Sequence, residues 1–398
     1  MHHLQLLSII LAIATPLAGS VPAQPQARDQ NAPQVYKTTD NFPLANPGNI
    51  AAHDPNIILH DEHYYLFKGG INIPIFKAAN ISGPWEQLGT VLAGDSIIPK
   101  DNRSRPWAPT TIEKNGTFYC YYTLSTRGSR NSAIGVATTT ALDGSPWTDH
   151  GVVINTGKGT GSGVWPYTIT NAIDASFIID QDSGQAYLNY GSFWQDIWQV
   201  PLADDLLSVK DAGKPDAVQL TFIPHADSKP EEGSWMSFRE GYYYAWFSHG
   251  NCCNFKDGFP ARGKEYSIRV GRSKSVRGPF QDREGKSLLD GGGTVVYGSN
   301  HGVVYAPGGL GVLAGKNTSV PDILYYHYLN TSIGFKHGQA QLGWSYLGYE
   351  DGWPVPAGGR NATINAAFIY GPRVPSWGYL VVIFGRRSSN VHVSYANI

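Results

Sequence analysis

Residues 53–68 read HDPNIILHDEHYYLFK: a polar opening, a short β-rich run, the dipeptide Asp61-Glu62, then a second run heavy in Tyr and Phe. That is the pattern of two strands joined by a tight turn. The unit returns as WAPTTIEKNGTFYCYYT (107–123), DASFIIDQDSGQAYLNYGS (174–192) and EGSWMSFREGYYYAWFSHG (232–250). A looser copy combines HGVVYAPGG (301–309) with DILYYHYL (322–329). Asn115-Gly116, Asp182-Ser183-Gly184 and Glu240-Gly241 supply the turn signal that Asp61-Glu62 supplies in the first copy. The openings at Asp54, Trp107, Asp174, Glu232 and His301 lie 53 to 69 residues apart. Each interval has room for about four strands of five to six residues with their loops. Repetition on this scale, in strands alone, predicts an all-β chain folded as a five-bladed β-propeller. A two-sheet sandwich, the structural rival, would not repeat one unit five times.

Composition agrees. The 398 residues include 23 Tyr, 11 Trp, 46 Gly and 26 Pro but only two Met, which disfavours a helical bundle and favours short strands and tight turns. Disorder is excluded by the aromatic content. With 30 Lys+Arg against 31 Asp+Glu the net charge is -1, which provides no electrostatic footprint for nucleic acid or an anionic membrane.

In a propeller the innermost strand of each blade lines the axis, so residues opening the five copies converge at one mouth. Asp54, Asp174 and Glu232 would then share a cavity with Trp107 and His301. Carboxylates brought together from distant sequence are the raw material of glycoside hydrolysis, where one acts ionised as base and another protonated as acid. Each also has a plainer reading: Asp54-Pro55 as a turn, Asp174 as a loop hydrogen-bonder, Glu232 beside Glu231 as a solvated charge. Trp and Tyr add flat faces for sugar rings.

At these residues the chain resembles glycoside hydrolase family 43, and within it the secreted fungal-type endo-1,5-α-L-arabinanases. The resemblance covers residues about 43 to 356. It is carried by HDPNII (53–58), WAPT (107–110), NAIDAS (171–176), YGSFW (190–194), EEGSW (231–235), CCN (252–254), EYSIRVGRS (265–273), GSNHGVVYAPGG (298–309) and LGWSYLGYEDGWPVP (342–356). NAID, then GSFW, then a Glu-Gly motif in that order is its specific part. It implies a five-bladed propeller and inversion at the anomeric centre. Asp54 takes the part of general base, Glu232 of general acid, and Asp174 of the group tuning the acid's pKa and orientation. Glu232 is preferred to Glu231 because the family places Gly or Ala directly after the acid. Trp107, Asn171, Ser192 and Phe193 match positions that face substrate, with His53, Trp165 and Trp194 as softer candidates. His301 matches a position that binds an axial metal, usually calcium, through a His and waters; from first principles one imidazole is a poor calcium site. Thr110, where many members carry Asp, and the missing Pro after Glu232-Gly233 depart from the pattern and bear on fine specificity.

The implied substrate is arabinan, the α-1,5-linked side chain of pectin, cut internally by a monomer. The alternatives are an exo-acting α-L-arabinofuranosidase or β-xylosidase of the same family, which need a pocket closed at one end, and a catalytically inactive carbohydrate-binding propeller, which would have lost a carboxylate. Residues 1–20, with an apolar run from Leu4 to Ala18, read as a secretory signal peptide. Residues 21–42 read as a linker, 43–356 as the propeller and 357–398 as an extension of uncertain structure. Six Asn-x-Ser/Thr sequons, at Asn80, Asn102, Asn115, Asn317, Asn330 and Asn361, fit a secreted glycoprotein. Cys252 and Cys253 either close a vicinal disulfide or stand as two buried thiols, and Cys120 is the third cysteine.

Overall fold

The computed structural model describes residues 47–226, 229–253, 255, 258–300, 302–315 and 321–357. The expected signal peptide and linker lie outside the described residues, as does the C-terminal extension beyond Ala357. Among the described residues the chain is strands, turns and two short 3-10 segments, and no helix is long and apolar enough to cross a membrane.

Strand β1 (Pro47–Ala51) is followed by four sequential four-stranded meanders. The first is β2 (Asn56–His60), β3 (His63–Phe67), β4 (Pro74–Ala78) and β5 (Glu86–Thr90). The second is β6 (Trp107–Lys114), β7 (Thr117–Leu124), β8 (Ala133–Thr139) and β9 (Thr148–Asn155). The third is β10 (Ser176–Ile179), β11 (Ala186–Tyr190), β12 (Trp198–Pro201) and β13 (Val218–Gln219). The fourth is β14 (Glu231–Arg239), β15 (Tyr242–His249), β16 (Ser267–Ser273) and β17 (Thr294–Tyr297). The fifth blade runs outward through β18 (Val304–Leu313), β19 (Asp322–Asn330) and β20 (Gln341–Glu350). Its outermost edge is split: β1 pairs with the start of β20, Ala51 opposite Gln341, and β21 (Trp353–Ala357) with its end. The first strand of the chain thus completes the last blade and closes the ring, leaving no open edge at the join.

The strand sequences explain the packing. Along β7, Phe118, Cys120, Tyr122 and Leu124 join the core shared with the first blade, while Tyr121 joins the core shared with the third. Along β15, Tyr243, Ala245 and Phe247 face the third blade, while Tyr244 and Trp246 face the fifth. With both faces buried, period-two alternation sorts side chains between two cores rather than between core and water. Several buried tyrosines keep their hydroxyls bonded, as in Tyr326 to Tyr297 at 2.6 Å and Tyr122 to Asp149 at 2.6 Å.

The hairpin turns follow the sequence signals. Asp61-Glu62, Asn115-Gly116 and Glu240-Gly241 each place two consecutive residues at positive φ, between 45° and 75°, as a type I′ turn demands. The five-blade expectation holds. The cavity on the axis is lined at corresponding points by Asp54, Ala108, Asp174, Gly233 and Gly309, every one at positive φ. Trp107 and Glu232 precede this ring by one residue. Its fifth member is Gly309, whereas His301 lies outside the described residues.

Candidate active site

Asp54 sits where the chain turns into β2, at φ 47°, and its carboxylate is gripped by imidazoles. His53 Nδ1 lies 2.9 Å from Oδ2 and His327 Nδ1 lies 3.2 Å from Oδ1. His327, buried on β19, also places Nδ1 3.2 Å from the Asp54 backbone N–H. Protonated there, it donates to the carboxylate; unprotonated, it accepts from the amide. His53 is stacked between His327 and His337, with centroids 4.0 and 3.7 Å apart. Burial alone would raise the Asp54 carboxyl, but the charge interaction with His53 and the close approach of both imidazoles outweigh it and hold it well below the carboxylate range.

Asp174, at φ 57°, accepts from Gly233 N–H at Oδ2 (3.1 Å), and its own N–H donates to Thr123 Oγ1 at 3.1 Å. Burial, then repulsion from Glu232 and Asp54, pushes its carboxyl well above the usual range. Glu232 opens β14. Ser192 Oγ donates to its Oε2 at 2.5 Å and the Tyr266 hydroxyl donates to its Oε1. Burial raises its carboxyl, the two hydroxyls oppose that rise, and Asp54 adds to it. Asp54 is therefore driven toward its ionised form, while Asp174 and Glu232 are pushed toward their protonated forms. One ionised and one protonated carboxyl in the same cleft is the division of labour an acid–base pair needs.

The other expected residues are not equivalent. Ser192 touches Glu232, and Phe193, at φ 50°, is half-buried on the same loop. Trp107 begins β6, half-buried. Asn171 is buried and accepts from Ser132 Oγ at 2.8 Å. Trp165 and Trp194 are exposed, Trp165 edge-on to Trp198. Glu231, the rejected acid, is fully buried behind the site. Thr110 Oγ1 donates to the Ala175 carbonyl and so ties the second blade to the third.

Three residues of the site escaped sequence reading: Tyr266, His327 and Gly309. The first two lie inside the stretches EYSIRVGRS and DILYYHYL; the signal for His327 was a single imidazole in an aromatic run, and Tyr266 carried none beyond the motif. Cys252 and Cys253 are disulfide-bonded, Cys120 is a buried free thiol, and the disulfide sulfurs lie within 4.8 Å of a His53 ring nitrogen.

For a metal, the described residues bring His53, Asp54 and His327 together with ligand atoms within 4.8 Å of one another. Two imidazoles and one carboxylate do not make a calcium cage, which takes about six to eight oxygens. The calcium expectation thus rests on His301 and is carried no further.

A closed five-bladed propeller with acids of divided proton affinity at one axial mouth has the architecture of a glycoside hydrolase. The chain belongs to glycosyl hydrolases family 43, whose model matches residues 45–354. It is 57% identical over 362 residues to a probable arabinan endo-1,5-alpha-L-arabinosidase D of Emericella nidulans, covering 91% of this chain and 93% of that one. It is 46% identical to arabinan endo-1,5-alpha-L-arabinosidase B of the same organism, covering 79% of this chain and 85% of that one. Among solved structures it resembles the Cellvibrio cellulosa alpha-L-arabinanase complexed with arabinohexaose, at 26% identity and TM-score 0.66, over 77% of this chain and 95% of that one. It also resembles an exo-1,5-alpha-L-arabinanase from a bovine ruminal metagenomic library, at 28% identity and TM-score 0.66, over 79% of this chain and 98% of that one.

Proposed function

We propose that the protein hydrolyses internal α-1,5 linkages of arabinan with inversion at the anomeric carbon. Asp54 withdraws a proton from the attacking water, Glu232 protonates the leaving oxygen, burial and the Asp54 charge favour the protonated acid, and Asp174 accepts from Gly233 N–H and so orients the backbone beside the acid. The single observation behind this reading is the contrast between Asp54, gripped by two imidazoles, and the buried Glu232, whose side-chain hydrogen-bond partners among the described residues are neutral hydroxyls. The names of the relatives supply the substrate. Trp107 and Phe193 beside the mouth are the proposed sugar contacts, with Ser192 acting through the acid. We further propose secretion as a monomeric glycoprotein; Asn80, Asn102 and Asn115 are exposed, Asn330 is half-buried, and Asn317 and Asn361 lie outside the described residues.

The exo-acting neighbour gives the second reading its place, because one fold carries both modes. Incubation with linear debranched arabinan separates them. A ladder of oligosaccharides with early loss of viscosity supports the endo reading. Arabinose alone from the first minutes supports the exo reading, and binding without product supports an inactive propeller.

A further inference from the structure

Behind the acid lie two more carboxyls that this mechanism does not use. Glu231 and Asp196 are 0% and 1% exposed, among the most buried polar residues of the described chain. Asp196 Oδ2 accepts from Ile223 N–H at 3.0 Å, and Glu231 Oε1 lies 3.4 Å from His249 Nδ1. The other oxygen of each, Asp196 Oδ1 and Glu231 Oε2, is buried without a hydrogen-bond partner among the described residues. A buried acceptor left unpaired costs about 1–3 kcal/mol, and a buried uncompensated carboxylate costs more. A proton on one or both lessens the charge buried there and gives that carboxyl a donor as well as acceptors.

The backbone around them shows what the pair holds. Phe193 N–H donates to the Glu231 carbonyl at 3.1 Å, and Asp196 N–H donates to the Phe193 carbonyl at 2.5 Å. The loop from Gly191 to Asp196 carries Ser192, whose hydroxyl sits on Glu232. Phe193, Trp194 and Asp196 are all at positive φ, so this loop holds its shape only while something fastens it.

We propose that Glu231 and Asp196 form a buried carboxyl pair that fastens loop 191–196 to β14 and thereby positions Ser192 on the acid Glu232. Both are positioning residues; neither touches substrate. The surrounding groups are compatible with this. Arg269 on β16 and Lys229 ahead of β14 favour some negative charge, while His249 on β15 is driven by burial well below the usual imidazole range and stays neutral. Burial pushes Glu231 up to about 7, and burial with the Glu231 charge pushes Asp196 up to about 8, so the pair keeps its protons through weakly acidic conditions.

The inference rests on Glu232 being the acid, so Glu232→Gln is measured first. If that variant hydrolyses arabinan normally, the reading of the site fails; if it is inactive, the remaining variants test the pair alone. On a linear 1,5-α-arabino-oligosaccharide, kcat and KM are followed against pH for Ser192→Ala, Asp196→Ala, Asp196→Asn, Glu231→Ala and Glu231→Gln, and for the double variant Ser192→Ala/Asp196→Ala. Loss of the Ser192 hydrogen bond removes an interaction favouring ionised Glu232, so the alkaline limb of kcat should move to higher pH. Asp196→Ala and Glu231→Ala should show the same shift, with kcat down about 10- to 100-fold and KM changed less than about threefold. Asp196→Asn and Glu231→Gln should restore most of kcat, because an amide can fill the role of a neutral carboxyl. The double variant should be no worse than its worse parent. An unmoved limb, equal losses for Ala and the amides, or additive losses in the double variant would overturn the proposal. Should the Ala variants fail to fold, Asp196→Asn and Glu231→Gln remain decisive. Retained kcat below pH 6 supports a neutral pair there, and loss of kcat with far-UV circular dichroism intact refutes it.

Discussion

Gly309, a residue with no side chain, stands at φ 54°, where a Cβ costs about 1–2 kcal/mol. A Cβ built there would strike Asp54 Oδ1 and come within 2.5 Å of His327 Nδ1. Comfortable non-bonded separations are about 3.5 Å, so Gly309→Ala must push the Asp54 carboxylate or its imidazole partner by about 1 Å. Displacement on that scale costs about 100-fold in rate, or ~2.7 kcal/mol of transition-state stabilisation. The expected outcome is a kcat on linear arabinan down about 100-fold while far-UV circular dichroism is unchanged and Tm falls by only a few degrees. Gly116→Ala is the control, since Gly116 has φ 75° in a hairpin tip with nothing within 4 Å of its Cβ. It should lose similar stability and no activity. A Gly309→Ala enzyme within threefold of wild type would refute the argument that this glycine exists to let the fifth blade approach Asp54.

Glu232→Gln should lower kcat on polymer at least 100-fold with binding retained, while Glu231→Gln keeps most activity; the opposite pattern, in matched kinetics and affinity electrophoresis, would move the acid to Glu231. The kcat/KM profile should be bell-shaped. Activity rises as Asp54 ionises, well below its ordinary 3.8, and falls as Glu232 deprotonates, above its ordinary 4.5, so within pH 4–7 only a falling limb is expected, and a rising limb in that window would contradict the assignment. Stability carries its own pH signature. Folding raises Glu231 from 4.5 to about 7, so its contribution is complete below about pH 4 and is lost as pH climbs toward 7, roughly 3 kcal/mol in all. Glu231→Gln should flatten urea midpoints over that window, and an unchanged slope would count against a buried carboxyl. Native protein should bind no thiol reagent, urea-unfolded protein one equivalent at Cys120, and reduced unfolded protein three; two or more before reduction would rule out the Cys252–Cys253 bond.

The fold was legible because each blade repeats a hairpin whose turn residues have a physical necessity. Asn115-Gly116 and Glu240-Gly241 can occupy consecutive left-handed positions, and the Tyr-rich runs after them have enough ring surface to fill two inter-blade cores. Asp54, Asp174 and Ser192 were legible for a related reason: they lie at or near blade openings, where topology brings them to one mouth. Register within the opening was harder to read. Trp107 and His301 were aligned with Asp54 by their place in the motif, yet the backbone position that lines the axis is held by Ala108 and Gly309, chosen for small size and left-handed φ. His327 and Tyr266 were illegible for another reason. His327 sits within an aromatic-rich strand and Tyr266 just ahead of β16, where a ring resembles core packing until its partner, Asp54 or Glu232, is seen against it.

The offset of one residue between Glu232 and the axial ring has a chemical consequence. Asp54 and Asp174 occupy two of five equivalent positions, and Ala108, Gly233 and Gly309 leave the other three nearly empty. Had the acid stood on the ring itself, three carboxyls would face one another across the same small cavity with nothing to distinguish their proton affinities except neighbours. Standing one residue earlier, Glu232 leaves its successor Gly233 to present an N–H to Asp174, while its own side chain meets Ser192 from the third blade and Tyr266 at the entry to β16. Asp54 meets His53 from its own turn and His327 from the fifth blade. Each acid therefore takes its partners from a different pair of blades. Near-fivefold repetition gathers the acids, and the departures from it, by one residue in β14 and by a glycine in β18, give them unlike surroundings and so unlike protonation.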